Sequence, residues 1–279
     1  CPERTSSGRV IKDLTESYPK IVGGIDAAST RAAAAFYRAF NEPGVIETES
    51  TTEAEAVKVF EGVYRDVNIA LANELAKACE EWGIDAHSVF DAANTQPYCN
   101  IHQPGVGVGG HCIPVYPHFV TNQYAETPLI ETARAVNTSM PGHTVDRLND
   151  KLAANGVDLA KASVLVLGLT YRPGVEELRY APALDVIDLL LDAGVDVSAH
   201  DPLLDPETIA EFGAMPVADP TAADGIDGIV LATGHQEYAD LDIAALREAV
   251  KTPVFVDGRN FFDAEQLSAF DYTAIGKPE

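Results

Sequence analysis

The clearest hydrophobic pattern in the chain predicts one long helix. Ser50-Thr-Thr-Glu53 forms a capping box and Gly83 marks a stop. Between them Phe60, Tyr64, Val67, Leu71, Leu75, Ala78 and Trp82 recur at steps of three and four residues. That is one apolar stripe of a helix about eight turns long. The opposite stripe, Lys58, Gly62, Arg65, Ile69, Ala72 and Ala76, is mostly small or apolar. A helix of this kind is expected to be buried on both faces, between domains or between subunits. On the second face Lys58 is either a snorkelling surface lysine or a deliberate, partly buried charge.

Ahead of this helix the pattern predicts a strand at 20–25, a helix at 29–41 and a strand at 45–48. One helix and two strands bury little, so this stretch reads as the end of a larger domain. After it come helices at 86–94, 128–140 and 144–155, with an irregular Pro- and Gly-rich stretch at 96–116. From residue 162 the pattern changes. Apolar strands at 163–168, 195–201, 228–233 and 253–257 alternate with helices at 182–193, 207–212 and 243–250. Strands apolar on both faces, alternating with helices, predict an α/β fold with a doubly wound parallel sheet. Ligands of such sheets bind outside the carboxyl ends of the strands. Those ends carry Leu169 to Pro173, Asp201-Pro202, Gly234-His235 and Gly258-Arg259-Asn260.

Charge narrows the function classes. The chain has 279 residues, 43 acidic against 19 basic, and a net charge of −24. Such a surface repels phosphate backbones, which argues against nucleic acid as a partner. The acids are scattered rather than gathered into a tail. This suggests a protein kept soluble in high salt, the alternative being an ordinary acidic protein. No run of about 18 apolar residues is present, so no membrane partner is expected. The chain begins at Cys1 without a basic, apolar leader, and is expected to be a processed or truncated product, or one lacking its first residues. Four cysteines, at 1, 79, 99 and 112, fit a reducing, cytoplasmic compartment, and their spacing matches no metal site.

Three features could carry chemistry. Gly105-Val-Gly-Val-Gly-Gly110 satisfies G-x-G-x-x-G, but the dinucleotide fingerprint needs a strand before it and a helix at its last glycine. Pro104, Pro114 and Pro117 exclude that context. Close backbone approach to an anion or a sugar suits Gly105, Gly107, Gly109 and Gly110 better. Cys112 follows this loop and is the best placed nucleophile, the alternative being a buried small hydrophobe. Arg172, Arg179 and Arg259 are three of only seven basic residues in 160–279 and follow strand ends. They point to anion binding, the plain alternative being surface arginines.

Together these stretches resemble the UDP-glucose/GDP-mannose dehydrogenase family of nucleotide-sugar 6-dehydrogenases, and within it the UDP-N-acetyl-D-mannosamine branch. The resemblance is carried by Cys1-Pro-Glu-Arg4, Ser50 to Lys58, Tyr64 to Leu75, Gln103 to Pro114, Leu167 to Pro173 with Arg179, and Asp257-Gly-Arg259. It implies 1–50 as the end of an N-terminal NAD domain, most of which is not in this chain. It implies 51–155 as a central helical dimerisation domain bearing the catalytic loop, and 156–279 as a Rossmann-like nucleotide-sugar domain. The implied reaction is oxidation of a UDP-sugar at C6 with NAD, to the uronate through a thiohemiacetal and a thioester on Cys112. Lys58 would stabilise the developing oxyanion. Gly105, Gly107, Gly109, Gly110, Arg172 and Arg259 would hold the substrate, Arg179 would reach the NAD phosphates, and the long helix would form a homodimer.

The chain departs from the family pattern at several positions. Gly62 stands where Asn is usual, Tyr116 for Asp, Tyr98 for Arg, Arg172 for Lys and Ala181 for Ser. The competing readings are a sugar-nucleotide-binding and dimerisation module without dehydrogenase activity, and a thiol-dependent aldehyde or acyl enzyme of another family.

Overall fold

The computed structural model describes residues 1–6 and 8–278. In chain order, a helical turn α1 (Val10–Lys12) leads to strand β1 (Lys20–Val22), helix α2 (Ala27–Arg38) and strand β2 (Val45–Glu47). Helices α3 (Thr51–Trp82), α4 (Ala86–Ala93), α5 (Tyr116–Thr121) and α6 (Pro128–Ala154) follow. Next come β3 (Ser163–Leu167), α7 (Pro182–Asp192), β4 (Asp196–His200), α8 (Pro206–Ala210), β5 (Met215–Pro216) and β6 (Ile226–Leu231). The chain finishes with α9 (Ile243–Ala249), β7 (Val250–Asp257) and β8 (Asp271–Ala274). A helical region is thus followed by an α/β domain on a six-stranded parallel sheet.

The chain packs as two compact units. One comprises Cys1–Arg65 and Tyr116–Glu126, the other Asp66–Val115 and Thr127–Glu279. In the first, β1 and β2 pair in parallel, with α2 as the crossover. Asp26 caps α2 by accepting the Ser29 N–H at 2.7 Å. The capping box starts α3 as predicted, with the Glu53 N–H bonding Ser50 Oγ at 3.1 Å. The Glu53 carboxylate reaches back one residue further than expected, to the Glu49 N–H at 2.8 Å.

In the second unit all six strands run parallel in the order β5-β4-β3-β6-β7-β8. Alternation along β3 divides the core. Val164 and Val166 face Leu148 and Leu152 of α6 and Val186, Ile187 and Leu190 of α7. Leu165 and Leu167 face the other way, with Tyr238, Leu246 of α9 and Phe255. Both faces of the sheet are therefore covered. The α6 contact depends on Gly228 in β6, where a Cβ would lie 2.8 Å from Leu148 Cδ1. A third cluster joins Ala72, Ala76 and Cys79 of α3 to Phe90 of α4, Met140 of α6 and Ile275. Glu80 links the same elements, bonding the Gly276 N–H at 2.6 Å, His143 Nε2 at 2.8 Å and Arg147 Nη1 at 3.2 Å. Burial pushes the Glu80 carboxyl up, but His143, the Gly276 N–H and Arg147 outweigh it and hold it below its ordinary value.

Three expectations are corrected. Helix α6 is continuous through Pro141, where the pattern predicts two helices, at 128–140 and 144–155. Proline removes one N–H from the ladder. On either side of it the hydroxyls of Ser139 and Thr144 bond back to the carbonyls of Val136 and Met140, at 2.8 and 2.9 Å. Strands β5 and β8 are additional, because a two-residue and a four-residue edge strand carry little periodicity. Helix α3 is expected to be buried on both faces, and within this chain only the small-residue face is. Gly62, Ala72 and Ala76 are buried within the chain, while Phe60, Tyr64, Leu71 and Trp82 are 49 to 68% exposed.

Candidate functional site

The sheet order reverses between β3 and β6, so the crevice outside their carboxyl ends is where a ligand is expected. Gly168 ends β3 with φ +78°, and the space of a side chain there is taken by the Thr233 carbonyl. Thr233 Oγ1 donates to the Thr170 carbonyl at 2.6 Å. Beneath them lies the fully buried His235. Its Nδ1 accepts the Gly174 N–H at 3.4 Å, which puts the proton on Nε2, 3.1 Å from Asp201 Oδ2 and 2.9 Å from Thr170 Oγ1. Asp201 also accepts the N–H groups of Leu169, Thr170 and Leu203 at 2.7 to 3.0 Å. Burial pushes its carboxyl up, but His235 and these N–H groups outweigh it, and the group stays below its ordinary value. This network ties the ends of β3, β4 and β6 together.

At the end of β7 the buried Asp257 accepts the N–H groups of Arg259, Phe261 and Phe262 at 2.8 to 3.0 Å. The carboxylate thus sets the turn that carries Arg259. Arg259 Nε bonds the Ala232 carbonyl at 2.8 Å, which holds the guanidinium across the end of β6. Burial lowers the Arg259 pKa, with Asp257 opposing the shift. In the same turn Asn260 has φ +49°, and its buried Oδ1 has no hydrogen-bond partner among the described residues.

The glycine loop is packed onto this edge. No strand precedes it and no helix opens at Gly110. A Cβ at Gly105 would lie 2.7 Å from Arg259 Nη1, and one at Gly258 would strike Val106. A Cβ at Gly107 (φ +144°) would lie 3.1 Å from Pro182, and one at Gly109 would lie 2.5 Å from the Tyr180 carbonyl oxygen and 2.7 Å from Tyr171. A Cβ at Gly110 (φ +93°) would lie 2.8 Å from the Tyr171 ring, and the Gly110 N–H bonds the Arg179 carbonyl at 2.7 Å. These glycines therefore serve first to let the loop seat on the sheet domain. Any larger residue would lift it away.

A buried polar relay anchors the loop from the helices. The Gly105 N–H donates to Asn73 Oδ1 at 2.9 Å, and Asn73 Nδ2 donates to Asn137 Oδ1 at 2.9 Å. Asn137 Nδ2 donates to Asp66 Oδ1 at 2.9 Å, and Arg134 Nη1 meets that oxygen at 2.5 Å. Asp66, Asn73 and Asn137 are at most 1% exposed. The sequence reading missed these residues. Their signal is two polar residues seven apart, Asp66 and Asn73, on the small-residue side of α3.

Cys112 is half-buried on the segment after the loop, four residues ahead of α5. Beside it His111 Nε2 pairs with Glu177 Oε2 at 2.9 Å. Arg172 is half-buried with its guanidinium 5.8 Å from the Tyr171 ring centroid. Arg179 is exposed, 5.2 Å from the Tyr180 ring centroid. The structure thus brings Arg259 and the glycine loop together, with Tyr171 and the Arg179 carbonyl beside it. Lys58 belongs to the other unit, where it is half-buried and its Nζ lies 5.6 Å from the Tyr116 ring centroid.

Comparison with known proteins accounts for this architecture. Residues 52–139 match the central domain of the UDP-glucose/GDP-mannose dehydrogenase family, and residues 165–264 match its UDP-binding domain. The chain belongs to this family of nucleotide-sugar dehydrogenases. Among relatives, it is 36% identical over 267 residues to a UDP-N-acetyl-D-mannosamine dehydrogenase of Methanococcus maripaludis, covering 94% of this chain and 60% of that protein. Among solved structures, a UDP-N-acetylmannosamine dehydrogenase of Pyrococcus horikoshii superposes with a TM-score of 0.89 at 33% identity, covering 99% of this chain and 64% of that one. An NDP-N-acetyl-D-galactosaminuronic acid dehydrogenase of Methanosarcina mazei gives a TM-score of 0.87 at 30% identity, covering 99% and 61%. The chain spans less than two thirds of the length of each.

The relay generates a prediction. Asn73→Ala leaves the Gly105 N–H without its acceptor, a loss of about 1–3 kcal/mol for an unsatisfied buried group. Urea unfolding should show a lower midpoint at unchanged slope. An unmoved midpoint would contradict the anchoring role.

Proposed function

We propose that this chain supplies the substrate-binding, cysteine-bearing and dimerising parts of an NAD-dependent enzyme. It oxidises the C6 hydroxyl of a UDP-sugar, of the UDP-N-acetylmannosamine or UDP-glucose type, to the uronate. The observation that carries the reading is the junction at Gly105, where the glycine loop packs on the Arg259 guanidinium at the carboxyl edge of the sheet. The domain division goes with it: 1–50 as the end of an NAD domain, 51–155 as the central domain and 156–279 as the nucleotide-sugar domain.

Arg259 and Arg172 take the diphosphate as charged hydrogen-bond donors. Gly105, Gly107, Gly109 and Gly110 keep the loop backbone close to the sugar. Cys112 adds to the aldehyde at C6. A carbon–sulfur bond forms, the carbonyl electron pair moves to oxygen, and Lys58 stabilises that oxyanion. Oxidation of that adduct to a thioester is chemistry that NAD would supply, held by residues outside this chain; water would then add to the thioester, the carbon–sulfur bond break, and the proton return to sulfur as the uronate leaves.

The described residues ahead of α3 do not offer a phosphate cradle for NAD. The one βαβ unit outside the sheet domain has Gly23-Gly24 after β1, where a phosphate cradle would lie. A Cβ at Gly24 would lie 2.5 Å from the Thr30 N–H nitrogen, so the chain itself fills that space. The N-terminus of α2 is capped by the carboxylate of Asp26, which repels a diphosphate. Arg179, exposed, offers one cation for a cofactor phosphate. Apart from Arg179, the NAD-binding residues of the proposed enzyme therefore lie outside this chain, and no hydride step is derived from it. This favours, as a second reading of the chain by itself, a sugar-nucleotide-binding and dimerisation module.

The homodimer is proposed to form on the stripe of α3 that carries Phe60, Tyr64, Leu71 and Trp82. Four large apolar side chains left about half exposed or more on one helix are unusual for a surface that meets only water. No helix among the described residues is long and apolar enough to cross a membrane. Action in the cytoplasm and adaptation to high salt complete the proposal, on the cysteine content and the scattered acids.

The chain alone should form no NADH with any UDP-sugar, and should gain this activity when joined to the N-terminal portion of a relative. NADH from the chain alone would contradict the assignment of the NAD site, and unchanged uronate output from Cys112→Ser in the joined form would contradict the nucleophile. Light scattering should give a dimer mass for the wild type and a monomer for Leu71→Glu with Trp82→Glu. A monomeric wild type would count against the proposed face. The melting temperature should rise between low salt and molar KCl, because screening relieves the repulsion of a −24 net charge. No rise would set aside the high-salt reading.

A further inference from the structure

Lys58 and Gly62 stand one helical turn apart on α3, so they share a face. Gly62 is buried. The side-chain space that it lacks is filled by the Tyr116 ring, since a Cβ at position 62 would strike Tyr116 Cδ2 and lie 3.1 Å from its Cγ. The same ring presents its face to Lys58, whose Nζ lies 5.6 Å from the ring centroid, within reach of a cation–π attraction. Phe119 stacks on Tyr116 at 5.9 Å with an interplanar angle of 28°. Among the described residues Lys58 makes no ion pair.

We propose that Tyr116, seated in the space left by Gly62, is the positioning residue for the Lys58 ammonium, and that Gly62 and Tyr116 work as one unit. The inference rests on the role given above to Lys58. A carboxylate beside the lysine would spend its charge in an ion pair. An aromatic face holds the ammonium in place through the ring quadrupole and leaves the cation unneutralised, available to an oxyanion. The two departures from the family pattern at 62 and 116 are then a single change. A side chain at position 62 excludes the ring, and without the ring Lys58 loses its seat.

The test is carbon-13 NMR of the whole chain after reductive methylation of its lysines, which keeps each amine cationic. There are eight lysines, and the Lys58 dimethylammonium signal is assigned by its loss in Lys58→Arg. In the wild type and in Tyr116→Phe the signal should lie upfield of the exposed lysines, through the ring current. In Tyr116→Leu it should return to the exposed-lysine position, while the other lysine signals stay in place and report an intact fold. Gly62→Ala should move the Lys58 signal in the same direction. A wild-type Lys58 signal at the exposed position, or one unmoved by Tyr116→Leu, overturns the proposal. A Lys58 signal unmoved by Gly62→Ala overturns the coupling. The readout needs no turnover, so it stands apart from a failure of the dehydrogenase reading. In an active joined form, Tyr116→Phe should retain kcat and Tyr116→Leu should lower kcat more than it raises KM.

Discussion

The candidate site depends on one steric constraint, the absence of side chains at Gly105, Gly107, Gly109 and Gly110. A Cβ at Gly105, Gly109 or Gly110 would lie within 3 Å of a guanidinium, a backbone carbonyl or a tyrosine ring. Because these positions are glycine, the loop lies flat on the sheet domain. Gly105 then meets Arg259, Val106 covers Gly258, and the Gly110 N–H bonds the Arg179 carbonyl. The relay through Asn73, Asn137 and Asp66 holds the other side of the loop from the helices. Loop position and arginine position are therefore one structural fact, with Asp257 shaping the turn from below.

That constraint also explains why a dinucleotide-like pattern occurs where no dinucleotide could bind. The spacing of glycines answers to close packing against the chain itself, and the same spacing in a strand–turn–helix would answer to a diphosphate. Context separates the two, here through the prolines that flank the loop.

Much of this was legible in the sequence. The capping box and Gly83 predict α3 to within a residue at either end, and the alternation of apolar strands and helices predicts the parallel sheet. The strand ends at 201, 235 and 257–259 carry the residues that the structure joins there. What was not legible has physical causes. The pattern of α3 offers two faces for burial and does not say which the chain itself covers; the close contacts use Gly62, Ala72 and Ala76, with Asp66 and Asn73 among them. The Asn73–Asn137 bond spans 64 residues of sequence, and two asparagines have no periodicity that announces a partner. Edge strands of two and four residues fall below any repeat.

The central claim is that the loop and Arg259 form a nucleotide-binding edge within this chain. Isothermal titration calorimetry with UDP tests it most directly. The claim predicts a measurable binding heat for the wild-type chain and an affinity lower by about tenfold or more in Arg259→Met, the scale of losing a charged hydrogen bond of about 1.5–3 kcal/mol. No binding heat in the wild type, or equal affinity in the two proteins, would contradict it.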